Sequence, residues 1–119
     1  VTAAGPTTSI RQEAYQAEVM RLFNLSGVIG KGGMGAKTLK ACAEQPAVYL
    51  HAIGGAAALI AAAVQEVIGV YKLEFGMPEA MWVLRVKDLP LVVTMDSHNN
   101  SLHDQVKKTS SKKLAEFLV

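Results

Sequence analysis

The sequence predicts an α/β fold with a parallel sheet, and three observations carry that prediction. Val28-Ile29-Gly30-Lys31-Gly32-Gly33-Met34 and Leu50-His51-Ala52-Ile53-Gly54-Gly55-Ala56 repeat each other, each reading as strand, diglycine, helix. Consecutive β-α units imply parallel strands joined by right-handed crossovers. The strand segments are continuous apolar runs, as in sheets covered on both faces. The third observation is bulk: 119 residues, 50% apolar and 18% charged, suit one domain with a core rather than a disordered chain.

The elements follow in order. Gly5-Pro6-Thr7-Thr8 reads as a loop, and Ser9 with Gln12 fits a capping box opening a helix that runs to about Phe23. Tyr15, Val19, Leu22 and Phe23 fall on one helical stripe and are expected to face the core. Ser26 to Ile29 is a short strand broken by Gly30-Lys31-Gly32-Gly33, and Met34 to Glu44 is a helix stopped by Pro46. Ala47 to Ile53 is a strand, and Ala56 to Val64 is so apolar that it reads as a helix buried all round. Val67 to Phe75, Ala80 to Val86 and Leu91 to Met95 read as strands, separated by turns at Gly76-Met77-Pro78 and Asp88-Leu89-Pro90. Asp96 to Asn100 is a polar turn, and a short amphipathic helix is expected after Thr109.

Charge and cysteine content narrow the function. The net charge is +2, but residues 105–119 hold four lysines against Glu116, while residues 1–104 hold eight basic and nine acidic side chains. The basic character is thus a property of a C-terminal tail or helix, and no nucleic-acid surface is expected. Cys42 stands alone, so this chain cannot supply the cysteines of an iron–sulfur cluster or a structural zinc site, and no metal ligands are assigned. Residues 46–65 lack charge, yet the run is rich in Ala, contains His51 and is split by Gly54-Gly55, so no membrane span is expected. No secretory signal is seen, and the expected location is cytoplasmic.

The Gly30-Lys31-Gly32-Gly33-Met34-Gly35 loop carries the strongest chemical signal. Glycines between a strand and a helix let backbone N–H groups approach a ligand, the helix start is electropositive, and Lys31 adds a full charge. That is an anion site; the competing reading is a tight turn with a solvated lysine. A nucleotide phosphate loop is the poorer fit. Ala36 intervenes between Gly35 and Lys37-Thr38, turning those two side chains by about 100° around the helix. Arg11 lies near the predicted start of the first helix, where a cation opposes the dipole. Either an anionic ligand compensates it or it pairs with Glu13 or Glu18. His51 reads as a core histidine, His98 and His103 as solvated, Cys42 and Trp82 as core, and Glu79 as a turn cap or a partner for a cation.

Four segments together resemble a known family: Gly5-Pro6-Thr7-Thr8-Ser9 with Arg11; Ile29-Gly30-Lys31-Gly32-Gly33-Met34; Ile53-Gly54-Gly55-Ala56-Ala57; and Gly76-Met77-Pro78-Glu79-Ala80 with Trp82. The pattern resembles the β subunit of class I, iron–sulfur-dependent fumarate hydratases, the β subunit of L-tartrate dehydratases and the C-terminal domain of single-chain fumarases. The resemblance implies a swivelling, three-layer β/β/α domain over residues 1–104, with residues 105–119 as a basic appendage. The implied reaction is reversible hydration of fumarate to (S)-malate, or dehydration of a related 2-hydroxy dicarboxylate such as tartrate. It further implies a 4Fe-4S cluster bound by a partner α subunit in a hetero-oligomer. The implied roles are Thr7 as base and Arg11 as a carboxylate clamp. Lys31 would hold the second carboxylate or stabilise developing charge, and Thr8, Gly30, Gly32 and Gly33 would complete the substrate site. Ile10 and Gln12 depart from the family pattern, which commonly has a small residue and a methionine there. The family's module also begins further upstream, with strands that carry another arginine, so this chain is expected to form an incomplete swivelling domain.

Overall fold

The chain is a mixed α/β protein. In the computed structural model, which describes residues 1–5 and 7–118, the elements in chain order are a 3-10 turn (Ser9–Gln12), α1 (Gln16–Phe23), β1 (Gly27–Gly30), α2 (Ala36–Glu44), β2 (Val48–His51), α3 (Ala57–Ala62), β3 (Val64–Tyr71), a second 3-10 turn (Leu73–Phe75), β4 (Met81–Val86), β5 (Val92–Met95) and α4 (Leu102–Phe117). They divide into two units, Val1–Gly5 with Gly54–Pro90, and Pro6–Ile53 with Leu91–Val119. Of the predicted opening loop, Pro6 lies outside the described residues, as does Val119 of the tail.

The larger unit holds a three-stranded sheet in the order β1-β2-β5. β1 and β2 are parallel, with Gly27 opposite Val48 and Gly30 opposite His51, so the first β-α repeat makes the expected crossover through α2. The second does not. After β2 the chain passes through α3 into the other unit, and it returns as β5, antiparallel to β2 with Tyr49 opposite Met95. The sheet is therefore mixed rather than parallel. The physical reason lies in α3, which has six residues and fully buries only Ala61. Its apolar face is too small to pack back onto a sheet as a crossover helix. Leu59 is 52% exposed, so α3 is not buried all round as its composition suggested.

Two buried clusters flank Val28. One joins Met20, Ala41, Cys42 and Ala47, the other Met34, Leu39, Tyr49 and Met95. The first corrects the predicted opening helix. Residues 9–12 form a 3-10 turn, α-helical geometry begins only at Gln16, and the face of α1 that packs inward is the one carrying Ala17 and Met20. Met20 is fully buried with Ala17 beside it, whereas Tyr15, Leu22 and Phe23 are 62%, 73% and 67% exposed. Small Ala17 lets α1 lie close to α2, and that approach turns the bulkier stripe outward. Left-handed Asn24 ends α1, with the Leu25 N–H donating to the Met20 carbonyl.

α4 also differs from expectation. The Ser101 hydroxyl accepts from the Asp104 N–H at 3.2 Å, a cap that starts the helix at Leu102 rather than after Thr109. The predicted boundary between residues 104 and 105 therefore falls inside one continuous helix. In the smaller unit, β3 and β4 form an antiparallel ribbon. Trp82 on β4 is 39% exposed instead of buried, because a two-stranded ribbon has too little area to enclose an indole. Its Nε1 donates to the Met77 carbonyl at 3.0 Å, which pins the Gly76-Met77-Pro78 turn.

Candidate functional site

The site is built at the C-terminal end of β1. Thr8 and Lys31 form a single parallel bridge, the Ser9 N–H donates to the Lys31 carbonyl at 3.4 Å, and the Lys31 N–H donates to Ser9 Oγ at 2.8 Å. The Arg11 N–H donates to the Thr8 carbonyl at 3.2 Å, so Arg11 belongs to the same turn. The backbone thus brings together the segments that carry Thr7, Thr8, Arg11 and Lys31. Thr7, Thr8 and Arg11 are exposed and Lys31 is half-buried. Among the described residues neither Glu13 nor Glu18 pairs with Arg11. The turn that holds it is a four-residue 3-10 helix rather than the start of a long α-helix, so the predicted opposition to a helix dipole falls away. Ser9 is a buried clamp on Lys31 and makes no capping box with Gln12.

The glycines divide by role. A Cβ on Gly30 would collide with Ser9 Oγ and sit 2.7 Å from the Tyr49 hydroxyl, so this glycine lets two hydroxyls approach the strand. Gly33 has φ +84° and lies against the His103 ring at 2.7 Å, measured from the same hypothetical carbon. Gly32, with φ +76° and nothing within 4 Å, is the one of the three whose surroundings are open to a ligand. Gly30 and Gly33 therefore shape the site by internal packing.

The start of α2 is already taken by an anion of the protein's own. The Glu13 carboxylate accepts from the N–H groups of Gly35 and Lys37, each at 2.8 Å, and of Thr38 at 3.2 Å, and from the Thr38 hydroxyl at 2.7 Å. Burial pushes the Glu13 carboxyl up, but these four hydrogen bonds outweigh it and hold the group below its usual range. The electropositive helix start is thus filled from within, which removes both the phosphate-loop reading and any direct use of this helix by a substrate. Glu13 carried no local signal in the sequence, because its partners stand more than twenty residues away.

Histidines meet where the sequence did not place them. His103 on α4 packs edge-to-face against His51 at 5.8 Å between ring centroids and against Tyr49 at 6.3 Å, and its Nε2 lies 2.9 Å from Thr94 Oγ1. It is part-buried rather than solvated, because the helix starts earlier than expected. Burial first, then the neighbouring His51, lowers its affinity for a proton, against an opposing pull from Asp104. His98 sits in the exposed Asp96–Asn100 turn, where its N–H donates to Asp96 Oδ1. Cys42 is fully buried, and burial together with Asp96 pushes its thiol up. Among the described residues no group of three or more His, Cys, Asp or Glu could hold a metal ion. A small cleft of about 110 Å³ opens between Thr7, Ser9, Gln12, Met34 and Tyr49.

The larger unit is an α/β unit in which backbone contacts gather the segments of Thr7, Thr8, Arg11 and Lys31 at the end of β1, beside the open Gly32. The sequence model of the family described as Fumarase C-terminus matches residues 1–106, and the chain belongs to that family. It is similar to a Geobacillus stearothermophilus protein carrying the name class I fumarate hydratase, at 60% identity over 98% of this chain and 23% of that protein. It is also similar to proteins named L(+)-tartrate dehydratase subunit beta. The Methanocaldococcus jannaschii protein is 47% identical over 96% of this chain and 60% of its own length. The Escherichia coli protein is 40% identical over 91% of this chain and 54% of its own length. The chain therefore spans a little over half of these two relatives and about a quarter of the first.

Proposed function

We propose that this chain is the β module of a hydro-lyase acting on a four-carbon dicarboxylate, catalysing the reversible hydration of fumarate to (S)-malate. The observation that supports it most is the Thr8–Lys31 bridge, which joins the backbone segments that carry Thr7, Thr8, Arg11 and Lys31, with the open Gly32 next in the chain. Two fixed cations match a dianion. Arg11 grips one carboxylate with its planar fork. Lys31 holds the other or stabilises charge that builds during proton removal. Thr8 and the Gly30-Lys31-Gly32-Gly33 backbone frame the substrate, and Thr7 takes the proton. A threonine hydroxyl is a weak base, so it needs those cations and a partner carboxylate to act.

The proposal includes a partner α subunit that carries a 4Fe-4S cluster, which when bound supplies Lewis-acid activation of the substrate. The residues of this chain do not suit that group, since the lone thiol of Cys42 is sealed in the core. In this reading the module takes the swivelling three-layer β/β/α form within the whole enzyme. Its cytoplasmic setting suits a free cysteine and a reduced cluster. Among the described residues no helix is long and apolar enough to cross a membrane. L-tartrate dehydration is the second reading, favoured by the two β-subunit relatives.

Reconstitution with an iron–sulfur α partner under anaerobic conditions tests the assignment. Hydration of fumarate, assayed in parallel with tartrate dehydration, is expected to be lost in Arg11→Ala and in Lys31→Ala. Full activity in both variants refutes the reading.

A further inference from the structure

We propose that Ser9 is a positioning residue for Lys31, locking the lysine's backbone to the Thr7-Thr8 segment so that the two halves of the site keep one spacing. The inference rests on the hydro-lyase reading for its consequence but on geometry for its existence. Ser9 is only 8% exposed. Its Oγ accepts the Lys31 N–H at 2.8 Å while its own N–H reaches the Lys31 carbonyl, so one residue binds both sides of Lys31's peptide frame. A second observation points to the same spot. The Tyr49 hydroxyl is fully buried, has no hydrogen-bond partner among the described residues, and, like Ser9 Oγ, borders the place where a Gly30 side chain would stand.

Buried polar groups are retained at a cost unless they serve a purpose. Here two hydroxyls border a glycine that leaves them room, at the residue before Lys31. A lysine on a glycine-flanked loop has many positions open to it. A two-point backbone clamp removes that freedom before the substrate arrives, which is how binding groups are preorganised. Ser9 touches no substrate in this arrangement and acts only through Lys31.

The test uses the chain assembled with its iron–sulfur partner, with Ser9→Ala and Ser9→Thr compared. Ser9→Ala is expected to lower kcat/KM at least tenfold while the unfolding midpoint moves by only a few degrees. Ser9→Thr, which keeps the acceptor oxygen, is expected to restore most of the activity. A readout independent of activity is hydrogen exchange at the Lys31 amide of this chain, slow in the unsubstituted protein and in Ser9→Thr and faster in Ser9→Ala. Unchanged kcat/KM in Ser9→Ala overturns the proposal, and so does a Lys31 amide that exchanges at the same rate in all three proteins. Failure of the parent reading looks different: the unsubstituted complex shows no hydro-lyase activity, and the exchange rates alone then decide whether the clamp exists.

Discussion

Replacing Glu13 by alanine removes one carboxylate and leaves four donors at the start of α2 without their acceptor: the N–H groups of Gly35, Lys37 and Thr38 and the Thr38 hydroxyl. Loss of a side-chain cap costs about 0.5–2 kcal/mol. Loss of a negative charge at a helix start costs a further ~0.3–1 kcal/mol. Water can reach part of this half-buried site and replaces some of the lost bonds, so the two contributions together are worth about 1–3 kcal/mol at neutral pH. For a chain of this length that corresponds to a fall of roughly 4–12 °C in unfolding midpoint. The sign of the pH dependence follows from the lowered Glu13 pKa. The unfolded carboxyl takes up its proton before the folded one as pH falls, so the stabilisation is full above the ordinary carboxylate range and is lost as pH drops through the folded value. Thermal unfolding of the unsubstituted chain and of Glu13→Ala, followed by circular dichroism from pH 7 down to about 3.5, reads both effects. The two midpoints are expected to converge in acid. A gap below about 2 °C at pH 7, or a gap that is constant with pH, refutes the reasoning.

His103 gives a test of the same sign, in a higher pH range. Its folded pKa lies below the ordinary histidine value, so the unfolded chain binds the proton first and stability is expected to decline as pH falls below about 6.5. His103→Asn is expected to flatten that decline in urea unfolding between pH 8 and 5, and an unaltered slope counts against a buried neutral imidazole. The packing of α1 is tested by contrast. Met20→Ala, at a fully buried position, is expected to cost about 2–5 kcal/mol, whereas Leu22→Ser and Phe23→Ser, on the exposed face, are expected to cost under about 0.5 kcal/mol in the same titration. Equal costs at the three positions contradict the observed inward face.

What the sequence revealed, and what it hid, divides by range. Most of the strand segments, the turns and the first β-α crossover were legible because each rests on neighbouring residues, but the expected Val67–Phe75 strand runs from Val64 to Tyr71 and Leu73–Phe75 is a 3-10 turn. The inward face of α1 was not legible. Tyr15, Val19, Leu22 and Phe23 do share one face of α1, but the face that packs inward is the other one, which carries Ala17 and Met20. The early start of α4 could have been read from Ser101 and Asp104, a capping pair that the lysine-rich tail obscured. At the site, Lys31 and Arg11 were legible as candidate anion contacts from the glycine loop and the position near a helix start, Thr7 and Thr8 only through the family resemblance, and the Thr8–Lys31 bridge brings their segments together. Glu13, Ser9 and the His51–His103 contact were hidden because each depends on a partner distant in sequence.

The glycine loop shows why pattern and role separate. Glycines ahead of a helix advertise a place where backbone N–H groups can bind an anion, and here they do bind one, but it is Glu13. That internal carboxylate satisfies the helix start and fixes the loop from the α2 side, while Ser9 fixes it from the β1 side. Lys31 lies between two anchored points, and Gly32 beside it is the glycine with open space. With the helix start satisfied from within, recognition of an external dianion must come from side chains. It follows that Lys31→Met, which keeps the length and removes the charge, should weaken binding of succinate to the assembled protein, because no helix terminus stands ready to take over. In the proposed reading, the anion specificity of the module therefore rests with Arg11 and Lys31, and the glycine loop supports them.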